Sequence, residues 1–166
     1  MVTIGRGSRL VWPLVPLLAL AGCSATPDEP QPEVLGEGKV GVPEAMTSLE
    51  WLLDECPKLA DATAVTYYGG YLGDQVDDRL AIGPHDLWRD LVVTLPEGSA
   101  AALVHRYGME AATTEPDVVS LLKPELPLGQ FFTSEEFDSG ICAPYLWVEG
   151  WVSVEDDQVV LTVFDS

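Results

Sequence analysis

The chain has 166 residues, of which 27 are acidic and 8 basic, giving a formal net charge of −19. That balance excludes a nucleic-acid binder, which needs a basic footprint, and an apolar share of 47% excludes a disordered chain. The length suits one domain behind a leader and is too short for two.

Arg6 and Arg9 precede an apolar run from Leu10 to Ala21. The run is about a dozen residues long, whereas a spanning helix needs roughly 20. Pro13 and Pro16 interrupt it further. A basic start, a short apolar stretch and small residues before a cut form a secretory signal. The two arginines are separated, so they are not a twin-arginine pair.

The run closes on Leu20-Ala21-Gly22-Cys23. Residues 1–24 thus resemble the signal peptide and lipobox of bacterial lipoproteins. The resemblance implies cleavage between Gly22 and Cys23 and acylation of the Cys23 sulfur by a diacylglycerol anchor with palmitate-type chains. It further implies retention in the cell envelope, at the outer, extracytoplasmic face of the membrane. Two acyl chains at about 0.8 kcal/mol per buried methylene make a stable attachment. Loss of Arg6 and Arg9 leaves six basic residues and a mature charge of −21. An anionic leaflet repels each nearby acidic group by about 1 kcal/mol, within a Debye length. Only Asp28, Glu29, Glu33 and Glu37 lie close along the chain, so the lipid term wins.

Residues 23–42 read as a disordered tether. Pro27, Pro30 and Pro32 stiffen its first half, and Gly36, Gly38 and Gly41 loosen the second. A globular domain is expected over 43–166. Pro43-Glu44 predicts a helix start, with Met46, Leu49, Leu52, Leu53 and Cys56 at helical spacing and Pro57 as the stop. Ala64 to Tyr68 reads as a strand ended by Gly69-Gly70, and Leu91 to Leu95 as another ended by Pro96. Ser99 is positioned to cap a helix through Tyr107, with Gly108 as its stop. Thr114, Pro116 and Asp117 predict a short helix through Lys123. Residues 125–143 read as loop, with one helical turn at Ser134 to Phe137. Tyr145 to Val154 and Val159 to Phe164 form an antiparallel hairpin across an acidic turn. The expected class is α+β: a single small domain with two or three helices, a mainly antiparallel sheet and a C-terminal hairpin.

Two cysteines remain in the mature chain, Cys56 and Cys142. An even pair in an exported domain reads as a disulfide, and two free buried thiols are the alternative. No Cys-x-x-Cys spacing suggests redox chemistry.

One face of the first hairpin strand carries Tyr145, Trp147, Glu149 and Trp151, and the other carries Leu146, Val148, Gly150 and Val152. A strand apolar on both faces is either covered on both or offers one to a partner. The aromatic set with its carboxylate is therefore the candidate ligand face, suited to sugar rings or apolar groups. Tyr67-Tyr68-Gly69-Gly70-Tyr71 reads as a turn that lines a pocket or packs inward. Asp74, Asp77 and Asp78 lack the spacing of an EF-hand loop, and Glu155, Asp156 and Asp157 fit a hairpin turn. His85 and His105 have no partners at zinc-ligand spacing. No Gly-x-Ser-x-Gly elbow, phosphate loop or dinucleotide fingerprint occurs.

No metal or cofactor is expected. The favoured function is a non-catalytic, lipid-anchored binding or regulatory protein of the envelope, with a protein or glycan partner. The alternative is a surface-polymer hydrolase using paired carboxylates, with Glu149 as the first candidate.

Overall fold

A computed structural model describes residues 30–36, 38–73 and 86–165. Cys23, Asp28, Glu29, Glu37, Asp74, Asp77, Asp78 and His85 lie outside the described residues. Among the described residues, eight strands follow in chain order: β1 (Glu33–Gly36), β2 (Lys39–Gly41), β3 (Ala64–Leu72), β4 (Leu87–Thr94), β5 (Glu110–Ala111), β6 (Phe131–Thr133), β7 (Leu146–Ser153) and β8 (Gln158–Asp165). Three α-helices accompany them: α1 (Glu50–Glu55), α2 (Ser99–Arg106) and α3 (Glu135–Gly140).

The strands form one sheet in the order β1-β2-β3-β4-β8-β7-β6-β5. Every pairing is antiparallel. The sheet is two meanders joined at its middle. After β4 the chain leaves through α2, restarts at the far edge with β5, and returns strand by strand. β8 then pairs with β4 from Leu87↔Asp165 to Thr94↔Gln158. This is the α+β domain expected, with β7 and β8 as its terminal hairpin.

Alternation sorts the side chains of these strands onto two faces. Leu91, Val93, Val148, Val152, Val159 and Leu161 enter a core beneath the helices, with Leu52 of α1, Leu103 of α2 and Phe137 of α3. Trp88, Val92, Trp151 and Val160 enter a second core, closed by Val118, Val119 and Leu122. Both faces are therefore covered at the sheet's centre, which is why β8 and most of β7 lack a polar face. Cys56 and Cys142 are bridged, tying the end of α1 to the chain after α3. Among the described residues, no helix is long and apolar enough to cross a membrane.

Several expectations need correction. The tether expected over 23–42 does not hold throughout, because Glu33–Gly36 and Lys39–Gly41 are strands of the sheet. Leu35 and Val40 are buried, and Gly38 makes the turn between β1 and β2 at φ 67°. The helix expected from Pro43 is confined to α1. Met46 instead exchanges two backbone hydrogen bonds with Tyr67, both 2.9 Å. β2 pairs only with residues 70–72 of β3, so Met46 supplies a partner further along that edge. β3 also runs straight through Gly69-Gly70. Gly41 and Gly70 face each other across β2 and β3, and a Cβ at Gly70 would collide with the Val40 carbonyl. Those glycines permit close strand approach; they do not make a turn.

The helix expected over 114–123 is absent. A single 3-10 turn, Lys123–Glu125, stands near its end. The Val119 N–H is taken by the Asp90 carboxylate at 2.8 Å, which removes it from any helical ladder. Ser99 does not cap α2. Gly98 holds the capping position at φ 79°, and the cap oxygens come from Asp157.

Candidate functional site

The hairpin strand β7 is unevenly paired. β8 accompanies it along its whole length. β6 pairs only at Phe131↔Ser153 and Phe132↔Val152, so among the described residues nothing pairs as a strand with 146–151 on that side. The cause lies just after β6. The Ser134 hydroxyl accepts the Phe137 N–H at 3.1 Å and starts α3 there. The helix then crosses onto β7. Gly150 makes room for it, since a Cβ at that position would run into the Phe137 ring.

From α3, Asp138 reaches the open edge, where its Oδ1 accepts the Gly150 N–H at 2.9 Å. A side chain thus takes one place of the missing strand. Burial pushes the Asp138 carboxyl up to about 6. The charges of Glu149 and Glu135 push the same way, and the Gly150 hydrogen bond opposes them.

A groove of about 380 Å³ runs beside this edge, lined by Glu135, Asp138, Ser139, Pro144, Leu146, Trp147, Val148 and Glu149. Successive strand side chains point to opposite faces. A hollow lined by four consecutive strand residues must therefore follow the strand's edge. Its walls carry three carboxyl groups and the Trp147 indole. Trp147 is 56% exposed and stands on Phe164 with ring centroids 5.1 Å apart.

The aromatic ligand face expected on β7 is divided by this geometry. Trp147 and Glu149 line the groove. Trp151 is 8% exposed and belongs to the second core, because the chain between β5 and β6 covers that end of the strand. Tyr145 precedes β7, and its hydroxyl donates to the Glu55 carboxylate of α1. That acceptor raises the Tyr145 pKa above its ordinary value. Tyr145 is exposed, but its hydroxyl is held at α1 and it does not line the groove.

Asp138 and Glu135 were not singled out in the sequence. Their one signal is the cap: Ser134 starting a helix one turn before an unusually interrupted strand partner. Among the other candidates, Tyr67 to Tyr71 lie within β3, and Tyr68 is buried in the second core. His105 is exposed on α2. Asp157, in the acidic turn, is committed to the amides of Gly98 and Ala100. Among the described residues, no group of three or more His, Cys, Asp or Glu side chains is placed to hold a metal ion.

A second polar centre is structural. Asp90 is fully buried on β4, between Lys39 Nζ at 2.8 Å and the Val119 amide. It fastens β2 and the covering segment to the middle of the sheet.

No known family matches this chain, and no curated protein or solved structure does either.

Proposed function

We propose that this protein is a lipid-anchored, extracytoplasmic binding protein, held at Cys23 and taking its ligand in the groove along β7. The observation that carries the binding part is Trp147, an indole more than half exposed beside Glu149 in a concave site. An exposed aromatic next to a carboxylate gives a ligand both contact area and an orienting charge. The anchor rests on the lipobox residues Leu20-Ala21-Gly22-Cys23. The mature chain then bears diacylglycerol at its first residue and works outside the membrane, on an envelope protein or glycan.

Two experiments test the two halves. Mass spectrometry of the native amino terminus should find acylated Cys23, and Cys23→Ala should release the protein from membranes. Retention of that variant overturns the anchor. A thermal-shift panel of glycan fragments, peptides and polyamines should stabilise the wild type, and Trp147→Ala should remove the response. A panel that shifts neither protein overturns the binding reading.

One observation favours the hydrolase alternative. Asp138 keeps its proton up to about 6 and shares the groove with Glu149. Two carboxyl groups of unequal proton affinity are the equipment of an acid–base pair. Against it, one Asp138 oxygen is occupied by the Gly150 N–H. Turnover of cell-wall or glycan fragments that is abolished in both Glu149→Gln and Asp138→Asn would decide for hydrolysis.

A further inference from the structure

The open edge of β7 offers backbone groups as well as side chains. The Gly150 N–H points outward, as its bond to Asp138 shows. Strand geometry repeats every second residue, so the N–H and C=O of Val148 point the same way. The Leu146 N–H, next in that row, turns back to the Ala143 carbonyl at 3.0 Å. Between those two satisfied amides, Val148 presents a donor and an acceptor to the groove. Among the described residues, no strand pairs with it on that side.

We propose, building on the binding reading above, that the groove receives an extended, basic segment of another protein, which adds to the sheet as a strand beside residues 146–149 of β7. Four features choose this occupant. Edge backbone groups recognise another backbone, and strand addition is the recognition mode that uses them. Four residues of β7 span about 13 Å, which sets the docked length at three or four residues. Glu135, Asp138 and Glu149 set the charge, since lysine or arginine side chains on the docked strand meet carboxylates. Trp147 adds an exposed ring for a guanidinium or an alkyl stem. A second copy of this chain is a poor occupant, because it carries the same excess of acid.

The test uses the full chain in detergent and a synthetic peptide of about seven residues alternating lysine and valine. Titration calorimetry should detect binding. A peptide of the same composition, N-methylated on every second backbone nitrogen, should bind about tenfold more weakly, because it loses its strand hydrogen bonds. A glutamate–valine counterpart should not bind, and Glu149→Lys should weaken the lysine peptide by about tenfold. Equal binding of the N-methylated and unmodified peptides overturns strand addition and leaves charge attraction alone. No binding of the lysine peptide also overturns it: the carboxylates then only guard an edge. If the peptide fails while another compound still gives a Trp147-dependent thermal shift, only this inference falls. If nothing shifts the protein, the binding reading falls with it.

Discussion

Asp157 caps helix α2 at Gly98, from 59 residues further along the chain. One carboxylate oxygen accepts the Gly98 N–H at 2.9 Å and the other accepts the Ala100 N–H at 3.1 Å. The Asp157 carbonyl also accepts the Leu95 N–H at 2.8 Å. The turn of the last hairpin therefore closes the start of a helix formed much earlier. Asp157→Ala should lower stability by about 1–2 kcal/mol, the range of a lost helix cap. Asp157→Asn retains one acceptor and should lose less. Urea unfolding midpoints of the three proteins check the order.

Asp90 should be among the least replaceable residues. Its carboxylate is fully buried and holds both Lys39 and the Val119 amide. Asp90→Ala leaves an ammonium without its partner and should destabilise by about 3–5 kcal/mol. Lys39→Met combined with Asp90→Leu removes both charges. It should recover part of that loss and leave the Val119 N–H as the remaining defect. A double-mutant comparison by denaturant titration measures the difference.

Gly150 should tolerate no side chain while Phe137 stays in place. Gly150→Ala forces a methyl into the Phe137 ring and should cost about 1–3 kcal/mol as overpacking. Phe137→Leu on the same background should relieve part of the clash. A positive coupling in the cycle confirms that the two residues share one space.

Asp138 gives a pH signature with a definite sign. Its folded carboxyl titrates at about 6, above the unfolded value of about 3.9. Between those values the folded chain binds more protons than the unfolded one. Stability is therefore fully helped below pH about 4 and declines as pH rises toward about 6. Asp138→Asn keeps an acceptor for the Gly150 N–H and has no charge to desolvate. It should flatten the decline and be more stable at neutral pH, by on the order of 1 kcal/mol once solvent screening is allowed for. Thermal denaturation of both proteins from pH 4 to 7 isolates the difference from the other carboxylates.

The Cys56–Cys142 bridge closes a loop with a sequence separation of 86. Chain entropy assigns it about 4–5 kcal/mol. Cys56→Ala with Cys142→Ala should lose about that much, and reducing agent should not affect the double variant further. Equal denaturation curves with and without reductant in the wild type would contradict this.

What the sequence disclosed follows local pattern. The β7–β8 hairpin was legible because two β-rich runs flank a short acidic turn. Helix α2 was legible from Leu103 and Tyr107 in one helical row with Gly108 as the stop, and Gly108 does take φ 53°. The bridge followed from an even pair of cysteines. The β1–β2 hairpin was hidden because each strand is very short and its glycines look like a linker; only Leu35 and Val40 betray burial. The stretch from Tyr67 to Tyr71 departs from its local pattern: Gly-Gly usually marks a turn, and here two strands need to approach closely. Of the groove, Trp147 and Glu149 were legible as part of the aromatic strand, and its shape was not. It depends on where β6 stops, on α3 crossing at Gly150, and on Asp138 reaching an edge that no local pattern reveals.

The position of β1 at one end of the sheet has a geometric consequence for a chain tethered at Cys23. Few residues separate that cysteine from Glu33, and fully stretched they reach no more than about 35 Å. From β1, five inter-strand steps of about 4.8 Å lead to β7. On the proposed attachment, the β1 end of the sheet is where the tether joins the domain, and the acidic groove lies about 24 Å from it across the sheet.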